Sequence, residues 1–235
     1  MSIKRALFRV GVVFAVAFIA GCGGSKVVGG GNNGFGAVDP QSVVRGSFTD
    51  PRDGGQYNTV QIGEQTWMAE NLKYEAEDSW CYRDDESDCE EPGHGRQYGW
   101  ETAKAACPDG WHLPNREEWG HLMAAVGGVR KIDKKGYVDY DVAGKKLKSR
   151  SGWASGGNGA DDYGFSAMPG GYYESGLGGM WVGHHGYWWS ATEHGSGGGL
   201  YHRMNYDNDL VFEASGIEKD VKSDDWYSVR CVQDN

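Results

Sequence analysis

Five cysteines, spread unevenly over 235 residues, constrain the fold of this chain more than any other feature. Cys22 closes an apolar N-terminal segment, and the other four cysteines allow three pairings. Cys81 and Cys89 lie eight residues apart around an acidic loop, so we expect a local disulfide between them. That leaves Cys107 to pair with Cys231, which would tie an early helix to the last strand. A CxxC pair is absent, so the sequence supports neither a zinc ribbon nor a thioredoxin-like site.

The N-terminal segment has the features of an export signal. Positive residues precede an apolar run over 10–20 that is too short to span a bilayer, as is typical of a signal peptide. The run ends in Ile-Ala-Gly-Cys, which resembles the bacterial lipobox. This resemblance implies a signal peptide over 1–21 and a diacylglyceryl anchor on Cys22, which would attach the protein to a membrane. Because Gly23 rather than Asp follows, we expect the outer membrane of the cell envelope, an oxidising setting that favours disulfides.

A glycine-rich stretch separates the expected anchor from the rest of the chain. Seven of the fourteen residues from Gly23 to Gly36 are glycine, which is typical of a flexible tether. We place the lipidated cysteine and tether over 22–46 and one folded domain over 47–235. The 10 Trp, 13 Tyr and 7 Phe residues can build its core, whereas disordered chains are poor in aromatic residues. The net charge of −10 gives the chain no overall attraction for nucleic acid.

Hydrophobic spacing predicts helices in the first half and strands in the second. A β-hairpin is expected over 57–68, followed by a loop over 75–97 and a short helix over 99–107. Asn115 and Glu118 have the spacing of a capping box, which predicts the start of a second helix that ends at Gly127-Gly128. A third short helix is expected over 142–149. Strands are predicted over 165–168, 187–192, 200–206, 210–213 and 226–232. Together these elements predict an α+β fold.

Four sequence blocks resemble the signature of a known family. The blocks are Trp67–Leu72 (WMAENL), Cys107–Pro114 (CPDGWHLP), Trp188–Thr192 (WWSAT) and Ser228–Val232 (SVRCV). In this order they are similar to the Fibrobacter succinogenes major paralogous domain, over about 47–235. Members of that family are mostly exported proteins or lipoproteins, and no general activity is established for them. The resemblance therefore implies a place in the cell rather than a reaction.

The same region is distantly similar to C-type-lectin-like domains. The similarity rests on the Trp100–Cys107 helix, on Trp111-His112-Leu113 with Glu118, and on Cys231. It implies two early helices, short antiparallel strands, a Cys107–Cys231 disulfide and a loop-rich binding region over 150–186. The acidic and amide triplets with which lectins hold Ca²⁺ are missing, so we expect no cofactor and no metal. The aspartates at 161–162 and 207–209 are interpreted as turn residues, because no EF-hand spacing surrounds them.

Aromatic residues in or beside the glycine-rich second half are the candidate ligand-binding residues. A flat aromatic face can stack on a sugar ring, whereas most aromatic residues, Trp188 and Trp189 above all, serve as core. The candidates are Tyr172, Tyr173, Trp181, Tyr187 and Trp188.

The sequence favours a non-catalytic binding module of the cell envelope, with a glycan or another surface polymer as its ligand. A structural or protein-interaction lipoprotein, with an envelope protein as partner, is the first alternative. An enzyme of the formylglycine-generating type, a fold relative of the lectins, is the second alternative. That chemistry needs a reactive thiol pair, whereas every cysteine here has a structural or lipid-bearing assignment.

Overall fold

The computed structural model describes residues 36–83, 85–90, 93–194, 198–213 and 225–235. The expected signal peptide and Cys22 lie outside these residues. The helices are α1 (Glu86–Glu90), α2 (Trp100–Ala106), α3 (Arg116–Ala125) and α4 (Ala143–Leu147). The strands are β1 (Val44–Thr49), β2 (Gln56–Ile62), β3 (Gln65–Met68), β4 (Ser79–Trp80), β5 (Gln97–Tyr98), β6 (Trp111–His112), β7 (Arg130–Ile132), β8 (Val138–Tyr140), β9 (Tyr172–Glu174), β10 (Gly178–Met180), β11 (His185–His194), β12 (Gly198–Asn205), β13 (Val211–Glu213), β14 (Asp225–Ser228) and β15 (Val232–Gln233).

The strands form two sheets. The first sheet has the order β1-β2-β3-β15-β6, so it joins the first strands of the domain to the last one. The second has the order β10-β9-β14-β11-β12-β13-β8-β7, and β5 pairs with both β14 and β4. The pairs are antiparallel except β11 with β14, where Trp188 lies opposite Ser228 in a parallel bridge. The described residues thus confirm an α+β fold that is mostly sheet; its likeness to lectins stays a prediction.

The predicted hairpin, capping box and third helix are confirmed. The hairpin consists of β2 and β3, and Gly63 takes a positive φ of 65° in the turn between them. The Asn115 side chain accepts hydrogen bonds from the N–H groups of Glu117 and Glu118, and the Asn115 N–H donates to the Glu118 carboxylate, so α3 begins with the expected capping box. One face of α3 is buried, with Trp119, Leu122 and Met123 in the core. The helix predicted over 142–149 is present as α4.

Four predictions need correction. The segment over 165–168 is not a strand but forms one isolated bridge, between Ala167 and Lys148. The strand predicted over 226–232 is divided into β14 and β15. The predicted loop over 75–97 contains α1, β4 and β5. The folded domain also begins before residue 47, because β1 starts at Val44 and the Val38 N–H donates to the Ala125 carbonyl, 2.8 Å away.

Both predicted disulfides are present, Cys81–Cys89 and Cys107–Cys231. The first closes a loop of 8 residues, whereas the second joins positions 124 residues apart, at the end of α2 and next to β15. The long disulfide therefore ties the helical first half to the last strand. Among the described residues, no helix is long and apolar enough to cross a membrane.

Three of the four sequence blocks meet in one buried hydrogen-bond network. The Asn71 Oδ1 atom accepts from Trp188 Nε1 at 2.9 Å, and from Nε and Nη2 of Arg230 at 3.1 and 2.7 Å. Arg230 is fully buried, and it also donates to the backbone carbonyls of Met68 and Phe165. Burial lowers the pKa of Arg230 to about 10, so the arginine remains charged at neutral pH. These signature residues hold the fold together, because unsatisfied buried polar groups are costly.

A buried carboxylate braces the second sheet against α3. Glu213 is 2% exposed, forms an ion pair with Arg116, and accepts a 3.2 Å hydrogen bond from the Tyr140 hydroxyl. Burial acts to raise the pKa of Glu213, but His202 and Arg116 outweigh it and bring the pKa to about 2. Glu213 is therefore ionised at neutral pH and links β13, β8 and the first turn of α3.

Candidate ligand-binding surface

The five aromatic candidates from the sequence do not form one surface. Trp188 is fully buried in the main core, and Tyr187 is 9% exposed and stacks on Tyr227 at 5.1 Å between ring centres. Neither ring has a face open to a ligand, so assigning Trp188 and Tyr187 to the binding site was wrong. Consecutive side chains of β11 point to opposite faces of the sheet, and each belongs to its own buried cluster, Trp188 to one and Tyr187 to the other.

Tyr172 lies at the edge of the core. Its ring is half-buried against Tyr187 and Tyr227, at 5.3 and 6.1 Å between ring centres. Burial, followed by the nearby charge of Glu174, raises the pKa of Tyr172 to about 12. Tyr172 therefore belongs to the margin of the core rather than to an open surface.

The Tyr173 ring contacts two tryptophans that are not among the candidates from the sequence. Its ring stacks on Trp80 with 5.3 Å between ring centres and a 7° interplanar angle. Trp226 meets both rings edge-on, at 5.6 Å from Tyr173 and 6.5 Å from Trp80. We call Trp80, Tyr173 and Trp226 the aromatic platform. Trp80 is 39% exposed, which is unusual for so large an apolar side chain in contact with two others.

Backbone pairing in the second sheet fixes the aromatic platform. Trp226 on β14 is directly opposite Tyr173 on β9, and Trp80 on β4 is opposite Gln97 on β5, which in turn pairs with β14. The Trp226 indole N–H donates to Asp78 Oδ1 at 2.7 Å. Gly99 gives that carboxylate room, since a Cβ at this position would lie 2.0 Å from the second Asp78 oxygen.

A polar cavity of about 520 Å³ opens beside the aromatic platform, with Trp80 in its wall. It is lined by Glu75, Ala76, Glu77, Ser79, Trp80, Cys81, Glu86 and Arg96. We call it the acidic cavity, because three carboxylates face one guanidinium. Arg96 is 4% exposed, pairs with Glu86, and has its Nη2 atom 3.9 Å from Glu75 Oε2. The carboxylates themselves are mostly exposed, so they can exchange a solvent contact for a ligand contact.

The local disulfide holds two walls of this cavity together. Cys81 follows Trp80 directly, and Cys89 lies in α1 with Glu86. Ser79 fixes the adjoining turn, since its hydroxyl donates to the Ala76 carbonyl at 2.7 Å. The shape of the acidic cavity therefore depends on the Cys81–Cys89 bond.

Trp181 is a second exposed aromatic residue and belongs to a separate cluster. It is 50% exposed and lies near His185 and His184, at 5.3 and 6.1 Å between ring centres. Its φ of 61° is uncommon for a residue with a bulky side chain. Tyr206 closes the cluster by an edge contact with His184 at 5.1 Å. The cluster remains a candidate contact surface, but one in which a single aromatic side chain is well exposed.

Two of the aspartates that might suggest Ca²⁺ accept hydrogen bonds from nearby residues. Asp161 accepts hydrogen bonds from the N–H and the hydroxyl of Ser166, both at 2.8 Å. Asp207 accepts from the Asn208 amide at 3.0 Å. No group of three His, Cys, Asp or Glu side chains suited to a metal ion occurs within the described ranges. The histidine of the second signature block, His112, instead bridges Asp234 and Glu118, at 2.5 and 2.7 Å.

The fold and this surface define a class: a disulfide-bonded α+β domain with an exposed aromatic platform beside a polar cavity. Comparison with family models gives the family. The chain belongs to the Fibrobacter succinogenes major domain family, whose model matches residues 60–233, about three quarters of the chain. No curated protein and no solved structure gave a significant match. The match covers all four signature blocks, and it also covers the three residues of the aromatic platform.

Proposed function

We propose that this chain is a non-catalytic lipoprotein of the cell envelope, anchored in the outer membrane through Cys22, whose domain binds a glycan. The observation that carries this proposal is the aromatic platform, in which Trp80 stays 39% exposed while Tyr173 covers one of its faces. An aromatic ring held in place by its neighbours offers a sugar ring a flat apolar surface at little cost in side-chain entropy.

The acidic cavity supplies the polar half of such a site. Sugar hydroxyls act as donors and acceptors at once, and the lining provides carboxylate acceptors and the Arg96 donor within one opening. Small-molecule sites combine apolar walls with a few placed polar groups in this way. The volume of about 520 Å³ suits one or two sugar units at the end or along the side of a longer polymer.

The relation to lectin-like domains belongs to the same proposal. The first sheet brings β2 and β3 against β15, and the Cys107–Cys231 disulfide joins α2 to the last strand. Both features agree with the lectin-like expectation. The proposed platform, however, includes residues before the first predicted helix as well as Tyr173 of the 150–186 region.

The cysteines favour this proposal over a thiol-dependent enzyme. Cys81 and Cys89 are 2% and 3% exposed, and Cys231 is fully buried. A reactive thiol pair has to be accessible to its substrate. Disulfides buried to this degree suit a structural role.

A glycan array, followed by pulldown on plant cell-wall polysaccharides, tests the proposal with the purified full chain. We expect binding to at least one glycan class and its loss in Trp80→Ala. Trp181→Ala is the matched control, because it removes a comparably exposed tryptophan outside the aromatic platform. Absence of binding to every glycan would refute the proposal. Binding that depends on Trp181 and not on Trp80 would move the site to the other cluster.

A further inference from the structure

A second cavity lies far along the second sheet from the aromatic platform, on strands β8, β13 and β12. Asp139, Phe212 and Arg203 occupy directly opposed positions on these three neighbouring strands. Their neighbours Val138 and Tyr140 are buried on the other face, as the two-residue period of a strand requires. The three side chains therefore form one row on the outer face of the sheet, with an acid at one end, a base at the other and a ring between.

Neither charged residue of this row forms an ion pair within 4 Å among the described residues. Asp139 Oδ1 and Arg203 Nε are both buried, and neither has a hydrogen-bond partner there. The Arg203 guanidinium lies over the Phe212 ring, 5.0 Å from its centre. Lys131, which could reach toward Asp139, is held by Asp141 at 2.6 Å. Both side chains are only partly buried, but a buried polar atom without a hydrogen bond is costly, so a ligand that bonds to both atoms would stabilise the site.

The space between them is a cavity of about 280 Å³. It is lined by Asp133, Tyr137, Val138, Asp139, Tyr201, Arg203, Phe212 and Glu213. Glu213 is already engaged by Arg116, and Asp133 Oδ1 accepts hydrogen bonds from the Lys135 and Tyr137 N–H groups. Asp139 is therefore the main acidic end of the cavity, and Arg203 is the basic end. At roughly 30 Å³ per water, the volume equals about nine waters, which admits a small molecule but not a polymer.

We propose that this cavity binds a small zwitterion, a free α-amino acid or the equivalent end of a short peptide. Asp139 receives its ammonium group, Arg203 receives its carboxylate, and Phe212 with Tyr137 contacts its side chain. The strands of Asp139 and Arg203 are two steps apart, about 9–10 Å at the usual spacing, which leaves room for an ammonium and a carboxylate to lie between the two side chains. Guanidinium groups match the planar fork of a carboxylate, so Arg203 fixes orientation as well as charge.

Isothermal titration of the purified full chain with L-leucine and L-phenylalanine tests the site. N-acetyl-L-phenylalanine lacks the ammonium charge, and L-phenylalanine methyl ester lacks the carboxylate. We expect one free amino acid to bind per chain, and each derivative to bind at least about tenfold more weakly, since each loses one charged hydrogen bond. This comparison needs no variant, so it holds even if a substitution prevents folding.

Two substitutions then assign the ends of the ligand. Asp139→Asn should remove the preference for a free ammonium and keep the preference for a carboxylate, whereas Arg203→Gln should do the reverse. Asp109→Asn and Arg150→Gln are the matched controls, because both residues are exposed and lie outside the lining. The proposal is overturned if no free amino acid binds below about 10 mM. Equal binding of the charged and blocked compounds, or unchanged preferences in the two variants, would overturn it as well.

Discussion

The two disulfides should contribute very differently to stability, because they close loops of 8 and 124 residues. In the chain-entropy model, a cross-link lowers the conformational entropy of the unfolded chain by an amount that rises with the logarithm of loop length. At 25 °C this gives about 2.5 kcal/mol for Cys81–Cys89 and about 5 kcal/mol for Cys107–Cys231. The expected gap between the two double-alanine variants is therefore about 2.5 kcal/mol in the free energy of unfolding.

Urea unfolding of the wild type and both variants measures this gap. Removing both cysteines of a pair avoids a free thiol, and three of the four cysteines are buried, so the packing losses largely cancel. The Cys107→Ala/Cys231→Ala variant should show the larger fall in midpoint. Equal losses, or a larger loss from Cys81→Ala/Cys89→Ala, would show that unfolded-state entropy does not govern these disulfides.

Three further perturbations test polar groups that hold the fold together. Asn71→Leu should cost about 3–5 kcal/mol in the free energy of unfolding by urea, more than Arg230→Met, because it leaves the buried Arg230 charge with only backbone carbonyls as acceptors. Burial would lower the pKa of His112, but Glu118 and Asp234 raise it overall. The contribution of His112 to the free energy of unfolding should therefore be fully present below the unfolded pKa of about 6.5 and fall as pH rises through the folded pKa. The loss should be less than about 1 kcal/mol, because the site is part-exposed. In thermal melts, His112→Gln should flatten this dependence of stability on pH. The lowered pKa of Glu213 predicts the opposite dependence of stability on pH, with stability lost as pH falls from about 4.5 towards 2. Acid titration of the Glu213→Gln variant should show a smaller loss.

Much of the fold could be predicted where the signals are local. The capping box of α3 and the turn at Gly63 lie within a few residues of the elements that they define, so the helix and the hairpin were found from sequence. The prediction of a single strand over 226–232 was wrong, because the division of this segment into β14 and β15 depends on partners that are distant in sequence. Arg230, between the two pieces, turns inward to reach Asn71, 159 residues away in sequence. Such long-range contacts leave no local pattern.

The candidate site was only partly predictable for the same reason. Tyr173 was chosen from its glycine-rich neighbourhood, but Trp80 and Trp226 come from distant segments that only the second sheet brings together. One signal for Trp80 was available, since it is a large aromatic residue inside an otherwise polar, acidic loop. The assignment of Trp188 to the site was wrong because its sequence block does not distinguish a side chain that binds a ligand from one that is buried. Here the Trp188 indole donates a hydrogen bond to Asn71 in the core.

The central claim is that the aromatic platform binds a glycan. Its most direct test is the affinity of the Trp80→Ala variant for a polysaccharide that binds the wild type, measured by affinity electrophoresis beside Trp181→Ala. Loss of one stacked aromatic from a sugar site should weaken binding by about tenfold or more, at roughly 1.4 kcal/mol per tenfold. The account predicts that loss for Trp80→Ala and an unchanged affinity for Trp181→Ala. Unchanged retention of the Trp80→Ala variant, with its fold intact, would contradict it.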